Sequence, residues 1–209
     1  MWRNCDNLEN TMTERNLRIL QLNIMKSRPA MEALMSDSQT RHLDIILIQE
    51  PPLSAFQTHV NHRMWHLYRP TYAGEARVRS LMYVNKRFTT STHQQIPCDH
   101  PDVVAIQFHT LECPLLVIST YFQPLDMHHL SDTQTMQPTL LHIEGAIDEG
   151  TRSTQQPIKL IVSGDFNRHH PMWSGRHVHH TILGHAEELL QFMHTRNLQP
   201  GLPPGTPTY

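Results

Sequence analysis

Cysteine is scarce in this chain, and its three copies, Cys5, Cys98 and Cys113, never form a C-x-x-C pair. Scattered and odd in number, they exclude a disulfide framework and favour a reducing, intracellular setting. Charge of one sign is also lacking. Lys and Arg number 17 against 19 Asp and Glu, for a formal charge of −2. No global basic field marks a protein that coats DNA passively, although an enzyme working at one cleft needs none. Long apolar runs are absent as well. The N-terminal stretch MWRNCDNLENTMTERN is polar and lacks the apolar segment of a signal peptide. Elsewhere the runs last a few residues, far short of the ~20 that a membrane helix requires. The expectation is a soluble intracellular chain, its 209 residues sufficient for one domain with a layered core.

Histidine, by contrast, is abundant: 17 copies would make the chain cationic a little below neutral pH. Six of them, His169, His170, His177, His179, His180 and His185, crowd one stretch. They lack the fixed H-E-x-x-H or cysteine-containing spacing of a zinc site, so the stretch reads as a solvated loop.

Periodicity orders the rest. Residues 1–16 read as a disordered tail, and 17–209 as one domain without repeats or linkers. Apolar alternation predicts a strand over 17–24, and a short helical face follows through Met31, Leu34 and Met35. DIILIQEPP (44–52) is an apolar strand that Pro51 and Pro52 terminate. Strands are predicted over 77–85, 90–96, 103–109 and 115–124, a helix over 137–149, and a strand over 158–167. The last helix spans 185–197, with Ala186, Leu189, Leu190 and Met193 facing inward. Many strands, several apolar on both faces, imply an α/β chain of two packed sheets with helices outside.

Three of the buried strands end in residues able to meet a metal or a phosphate: Asn23, Glu50, and the pair Asp165 and Asn167. Alternate residues of a strand share a face, so Asp165 and Asn167 are expected to enter one cleft. A carboxylate with an Asn oxygen and waters is the hard-oxygen environment that Mg²⁺ prefers. A second carboxylate can orient or deprotonate a water, and an amide can donate to a phosphate oxygen. Tyr121 closes the strand LLVISTY with a phenol that can hydrogen-bond a phosphoryl group. Each position alone also suits a turn. Together they suit metal-assisted phosphodiester cleavage.

LQLNI, DIILIQEPP, STYFQP and IVSGDFNRHHPMWSG, in this order, resemble the endonuclease/exonuclease/phosphatase superfamily. The GDFN-x-HHP-x-W form is similar to the endonuclease domain of non-LTR (LINE-type) retrotransposons, and the likeness spans about Leu17 to Tyr209. The resemblance implies a four-layer α/β/β/α sandwich with two mostly antiparallel sheets. It also implies Mg²⁺- or Mn²⁺-dependent nicking of DNA, which exposes a 3′ hydroxyl for a reverse transcriptase in the parent element. By position, Glu50 matches the metal-binding glutamate and Asn23 the asparagine beside it. Tyr121 matches the tyrosine near the scissile phosphate, Asp165 the aspartate that orients the attacking water, and Asn167 the asparagine on the phosphate. Thr208 resembles a threonine near the DNA-binding face. Arg77 is a candidate phosphate contact, an edge-guarding residue being the alternative. His170 and Trp173 are expected to shape a DNA-facing loop, with Trp173 alternatively a core plug.

The resemblance carries a departure. The family continues into an I-D strand and a final S-D-H motif, supplying another aspartate and the catalytic histidine, and neither follows Thr208 here. The expectation is a domain lacking its last strands and poorly active or inactive by itself. The alternative functions are a non-catalytic remnant that binds nucleic acid or protein, and an abasic-site endonuclease or phosphomonoesterase. Action on DNA implies a nuclear location, with no membrane partner.

Overall fold

The computed structural model describes residues 16–56, 58–71, 75–124, 136–175 and 178–206. Thr208 and all of the expected tail but Asn16 lie outside them. The chain divides into two compact units, Met1–Tyr121 with His142–Asp165, and Phe122–Leu141 with Phe166–Tyr209.

All eight described strands belong to the first unit. They are β1 (Ile19–Asn23), β2 (Ile45–Gln49), β3 (Trp65–Tyr68), β4 (Ser80–Asn85), β5 (His93–Ile96), β6 (Val103–Phe108), β7 (Leu115–Tyr121) and β8 (Lys159–Asp165). One sheet has the order β1-β2-β4-β3 and the other β5-β6-β7-β8. Each is mixed and mostly antiparallel: β1 with β2 and β7 with β8 are the parallel pairs. The α/β two-sheet architecture expected from the sequence is therefore present.

Strand period explains the layers. Ile45 and Leu47 of β2 and Met82 and Val84 of β4 face Val104, Ile106, Phe108 and Val117 of the other sheet. The alternate residues, Ile46, Ile48, Leu81 and Tyr83, pack outward against Met31 and Met35 of helix α1 (Arg28–Ser36). Both faces of β2 are thus covered, which is why its sequence is a continuous apolar run. Each fully buried aliphatic or aromatic side chain contributes about 1.5–3 kcal/mol. An exposed ion pair such as Arg28–Glu32 adds at most about 1 kcal/mol. The layer between the sheets, rather than surface charge, holds them together.

Helix α1 begins at Arg28, two residues before the helical segment that the sequence suggests from Ala30, because Ser27 caps it: Ser27 Oγ accepts from Ala30 N, and Pro29 fills the first turn, where its missing N–H costs nothing. Helix α2 (Gln137–Thr154) outruns its predicted end by five residues. Its residues from His142 onward lie in the first unit, where Gln107 Nε2 donates to Gly150 O on the outer face of the second sheet.

In the second unit, α3 (Pro171–Ser174), a 3₁₀ segment (His180–Ala186) and α4 (Glu187–Thr195) follow one another. Leu189 and Phe192 of α4 and Ala186 before it are buried, so Phe192 takes the inward place expected of Met193. Phe122 and Phe166 stack with ring centroids 5.5 Å apart.

Candidate active site

In the space between the sheets the inward-facing positions turn polar toward one end. Gln49, Ser80 and Ser119 are fully buried. Gln21 Nε2 donates to Gln49 Oε1 at 2.6 Å, Gln49 Nε2 to Ser119 Oγ at 3.1 Å, and the Ser80 and Ser119 hydroxyls meet at 2.8 Å. Stepping two residues along β1, β7 and β8 leads from Gln21, Ser119 and Ser163 to Asn23, Tyr121 and Asp165. The strand ends therefore present their polar residues on the face shared by the two sheets.

There the four groups join. Asn23 Nδ2 donates to Glu50 Oε1 at 3.1 Å and to Asp165 Oδ2 at 2.7 Å, and Tyr121 Oη donates to Glu50 Oε1 at 3.1 Å. Tyr121 and Asp165 are register partners on neighbouring parallel strands, and Asn23 is the partner of Gln49, the residue before Glu50. One amide thus ties two carboxylates supplied by two different sheets.

The backbone around Glu50 is unusual. Met25, Lys26 and Glu50 all have positive φ (48°, 59° and 48°), a region that side-chain-bearing residues occupy at a cost. Tertiary hydrogen bonds enforce it: Lys26 N donates to Glu50 O at 2.8 Å, and Glu50 N to Arg79 O at 2.9 Å. Such enforced strain is what a rigid site requires.

Burial pushes the Glu50 carboxyl up, but the hydrogen bonds from Asn23 and Tyr121 and the Lys26 ammonium outweigh it. The net shift is downward, so Glu50 is a carboxylate at neutral pH. Tyr121 moves the other way, pushed up to about 12 by burial and by the charges of Glu50 and Asp165. It remains a protonated donor.

The donor set suits a hard divalent cation. Glu50 Oε1 is engaged by two hydrogen bonds, while Oε2 faces the Lys26 ammonium at 3.4 Å, a position that already attracts positive charge. Glu50, Asp165 and Asn23 offer oxygen ligands only. No third carboxylate, histidine or cysteine completes a protein cage among the described residues. Mg²⁺, which keeps several waters and takes one or two carboxylates, is compatible with that sparse set.

The remaining predicted residues have partners of their own. Strand β8 ends at Asp165, and Asn167 lies beyond it with φ 48°. Strand alternation therefore does not govern its side chain, as the sequence reading assumed; its Nδ2 donates to Phe122 O at 2.8 Å within the second unit. In that unit the expected loop carries the one-turn helix α3, capped by His170, whose Nδ1 accepts from Met172 N. Trp173 is half-buried rather than a core plug, its indole N–H donating to Arg168 O at 2.9 Å. Arg77, in the first unit, is exposed and donates to Pro51 O at 3.4 Å. Residues that sequence reasoning passed over stand beside the four. Lys26 pairs with Glu50, and the Arg79 guanidinium lies 5.6 Å from the Tyr121 ring centroid, on the Asp102 carboxylate. Nothing local marks Arg79 or Asp102, since their partnership spans 23 residues and two sheets.

Residues 115–209, from β7 onward, match the family described as endonuclease-reverse transcriptase. The endonuclease domain of TRAS1, a telomere-specific non-LTR retrotransposon, is similar in structure, with a TM-score of 0.65 and 22% identity over 93% of this chain and 77% of that one. The fold is that of the endonuclease/exonuclease/phosphatase proteins. A second structure of this fold, the AP endonuclease LMAP from Leishmania major, is similar with a TM-score of 0.61 and 14% identity, covering 87% of this chain and 67% of the other. No curated protein sequence matches the chain. In the endonuclease/exonuclease/phosphatase fold described here, the four strand-end residues lie where two sheets present their ends to each other.

Proposed function

We propose that the chain is a metal-dependent DNA endonuclease domain of retrotransposon type. One observation carries the reading: Asn23 holds Glu50 and Asp165 together, with the Tyr121 hydroxyl on the same Glu50 oxygen. Two carboxylates, an amide and a protonated phenol at rigid strand ends are the equipment of phosphodiester hydrolysis. Similarity to the endonuclease-reverse transcriptase family and to the TRAS1 domain supports the choice of DNA as substrate and of a reverse transcriptase as partner.

In this reading Glu50 holds Mg²⁺ or Mn²⁺, with Asn23 fixing its carboxylate. The bound ion would neutralise charge on the phosphate and polarise it toward attack. Asp165 orients the attacking water, and Tyr121 donates its proton to a phosphoryl oxygen. Asn167 is proposed as a phosphate contact, and Arg77, His170, Trp173 and Thr208 as contacts to DNA. Work on chromosomal DNA would be nuclear.

Metal binding is the first readout and cleavage the second. Titration calorimetry with Mn²⁺ on wild type and Glu50→Ala should show binding in the first and its loss in the second. Mg²⁺-dependent nicking of supercoiled plasmid should disappear in the same variant. Unchanged Mn²⁺ binding in Glu50→Ala, or equal nicking by both proteins, would overturn the assignment. Cleavage confined to an abasic oligonucleotide would reassign the substrate.

A further inference from the structure

Arg79 and Asp102 form a fork: Nε donates to Oδ1 at 2.5 Å and Nη2 to Oδ2 at 2.6 Å. The Asp102 side chain is 2% exposed and that of Arg79 26%. A nearly buried carboxylate needs its partner, because an unpaired charge there is strongly unfavourable. What distinguishes this pair is where its backbone goes. Arg79 O accepts from Glu50 N at 2.9 Å, and Asp102 O accepts from Tyr121 N at 3.0 Å. Arg79 N also donates to Pro101 O at 2.9 Å, joining the entry to β4 in one sheet to the entry to β6 in the other.

One ion pair thus spans the two sheets at their polar end. Each partner's main chain holds one residue of the candidate site, and the Arg79 guanidinium faces the Tyr121 ring. Around the pair, the His100 ring lies 3.9 Å from Asp102 Oδ2 and its Nδ1 accepts from Asp102 N, while His142 stands 4.9 Å from His100. We propose that Arg79 and Asp102 are positioning residues that set the distance between Glu50 and Tyr121, and hence the geometry in which Glu50 receives a metal ion. This rests on the metal-dependent reading above, and it makes the inter-sheet contact part of the site rather than of the core alone.

The test uses Arg79→Met, Asp102→Asn and the double variant Arg79→Met/Asp102→Leu, the last replacing the pair by apolar groups so that stability is kept. Mn²⁺ affinity should fall about tenfold in each, the usual effect of losing a residue that orients a ligand. Tyr121→Phe should weaken Mn²⁺ binding in wild type and add little in Arg79→Met, because residues acting through one another are not additive. By hydrogen exchange, the Glu50 and Tyr121 amides should open about tenfold faster in the variants while the Ile46 amide keeps its protection. A merely structural pair would instead speed all core amides together. A double variant with wild-type Mn²⁺ affinity, or with uniform acceleration of exchange, would overturn the proposal. If wild type itself binds no Mn²⁺ through Glu50, the metal-dependent reading fails, and the exchange pattern alone decides whether the pair positions these residues.

Discussion

Asn23 Nδ2 lies 2.7 Å from Asp165 Oδ2, a hydrogen bond between residues 142 positions apart in sequence. Because the same amide nitrogen also serves Glu50, Asn23 uses both of its N–H donors on carboxylates. Replacing it by Asp removes the donors and adds a third negative charge. Asn23→Asp should therefore melt below wild type without metal and recover more than wild type when Mn²⁺ is added. Thermal melts with and without Mn²⁺ read this directly. Equal metal-induced shifts in the two proteins would remove Asn23 from its bridging role.

Glu50 supplies a pH prediction. Burial raises its carboxyl, but the donors Asn23 and Tyr121 and the Lys26 ammonium bring it below its ordinary value of 4.5. A carboxylate favoured in the folded state stabilises the fold above the unfolded value, and that stability disappears as pH falls through the folded value. Against Glu50→Gln, wild type should have its full advantage above about pH 5 and lose it on acidification below 4.5. Chemical denaturation from pH 3 to 6 checks the sign; an advantage that grows on acidification would contradict the hydrogen-bond pattern.

Much of this site was legible in the sequence, for a physical reason. A strand reads as an apolar run or an apolar alternation, so a polar residue at its end is conspicuous; Glu50 follows a buried strand, Tyr121 closes one, and Asn23 and Asp165 close half-buried ones. The two-residue period does not extend to Asn167, which lies past the end of β8 with φ 48°. Arg77 drew notice as a basic residue at a strand edge, whereas Arg79, two positions on, is the one paired beside Tyr121. That pairing crosses two sheets, and local periodicity carries no information about it. Strand β3 was missed because four residues, WHLY, are too few to establish a period.

Gly164 precedes Asp165 at a point of close backbone approach. A Cβ built there would stand 1.8 Å from Thr120 O, a main-chain atom on the paired strand that cannot move aside. Gly164→Ala should cost about 3 kcal/mol, the upper range for overpacking, and displace Asp165 from Asn23. Gly145, with open space around its Cβ position within helix α2, is the control. Gly145→Ala should instead gain up to about 1 kcal/mol from helix propensity. Urea unfolding of the pair tests the contrast, and equal stability in both variants would refute it.

The last prediction concerns the polar layer beneath the site. Gln49 accepts from Gln21 through Oε1 and donates to Ser119 through Nε2, and both Gln49 and Ser119 are fully buried. Gln49→Leu keeps the approximate volume but strands the Gln21 amide and removes a donor from Ser119. A buried polar group left without its partner costs about 1–3 kcal/mol, more than the added methyl groups return where the apolar packing already ends. The variant should thus be less stable than wild type despite its more apolar core. Gln21→Leu/Gln49→Leu should recover part of the loss, since removing both members of a hydrogen bond is cheaper than removing one. The double-mutant cycle measures this coupling, and additive losses would show that the layer fills space without acting as a network.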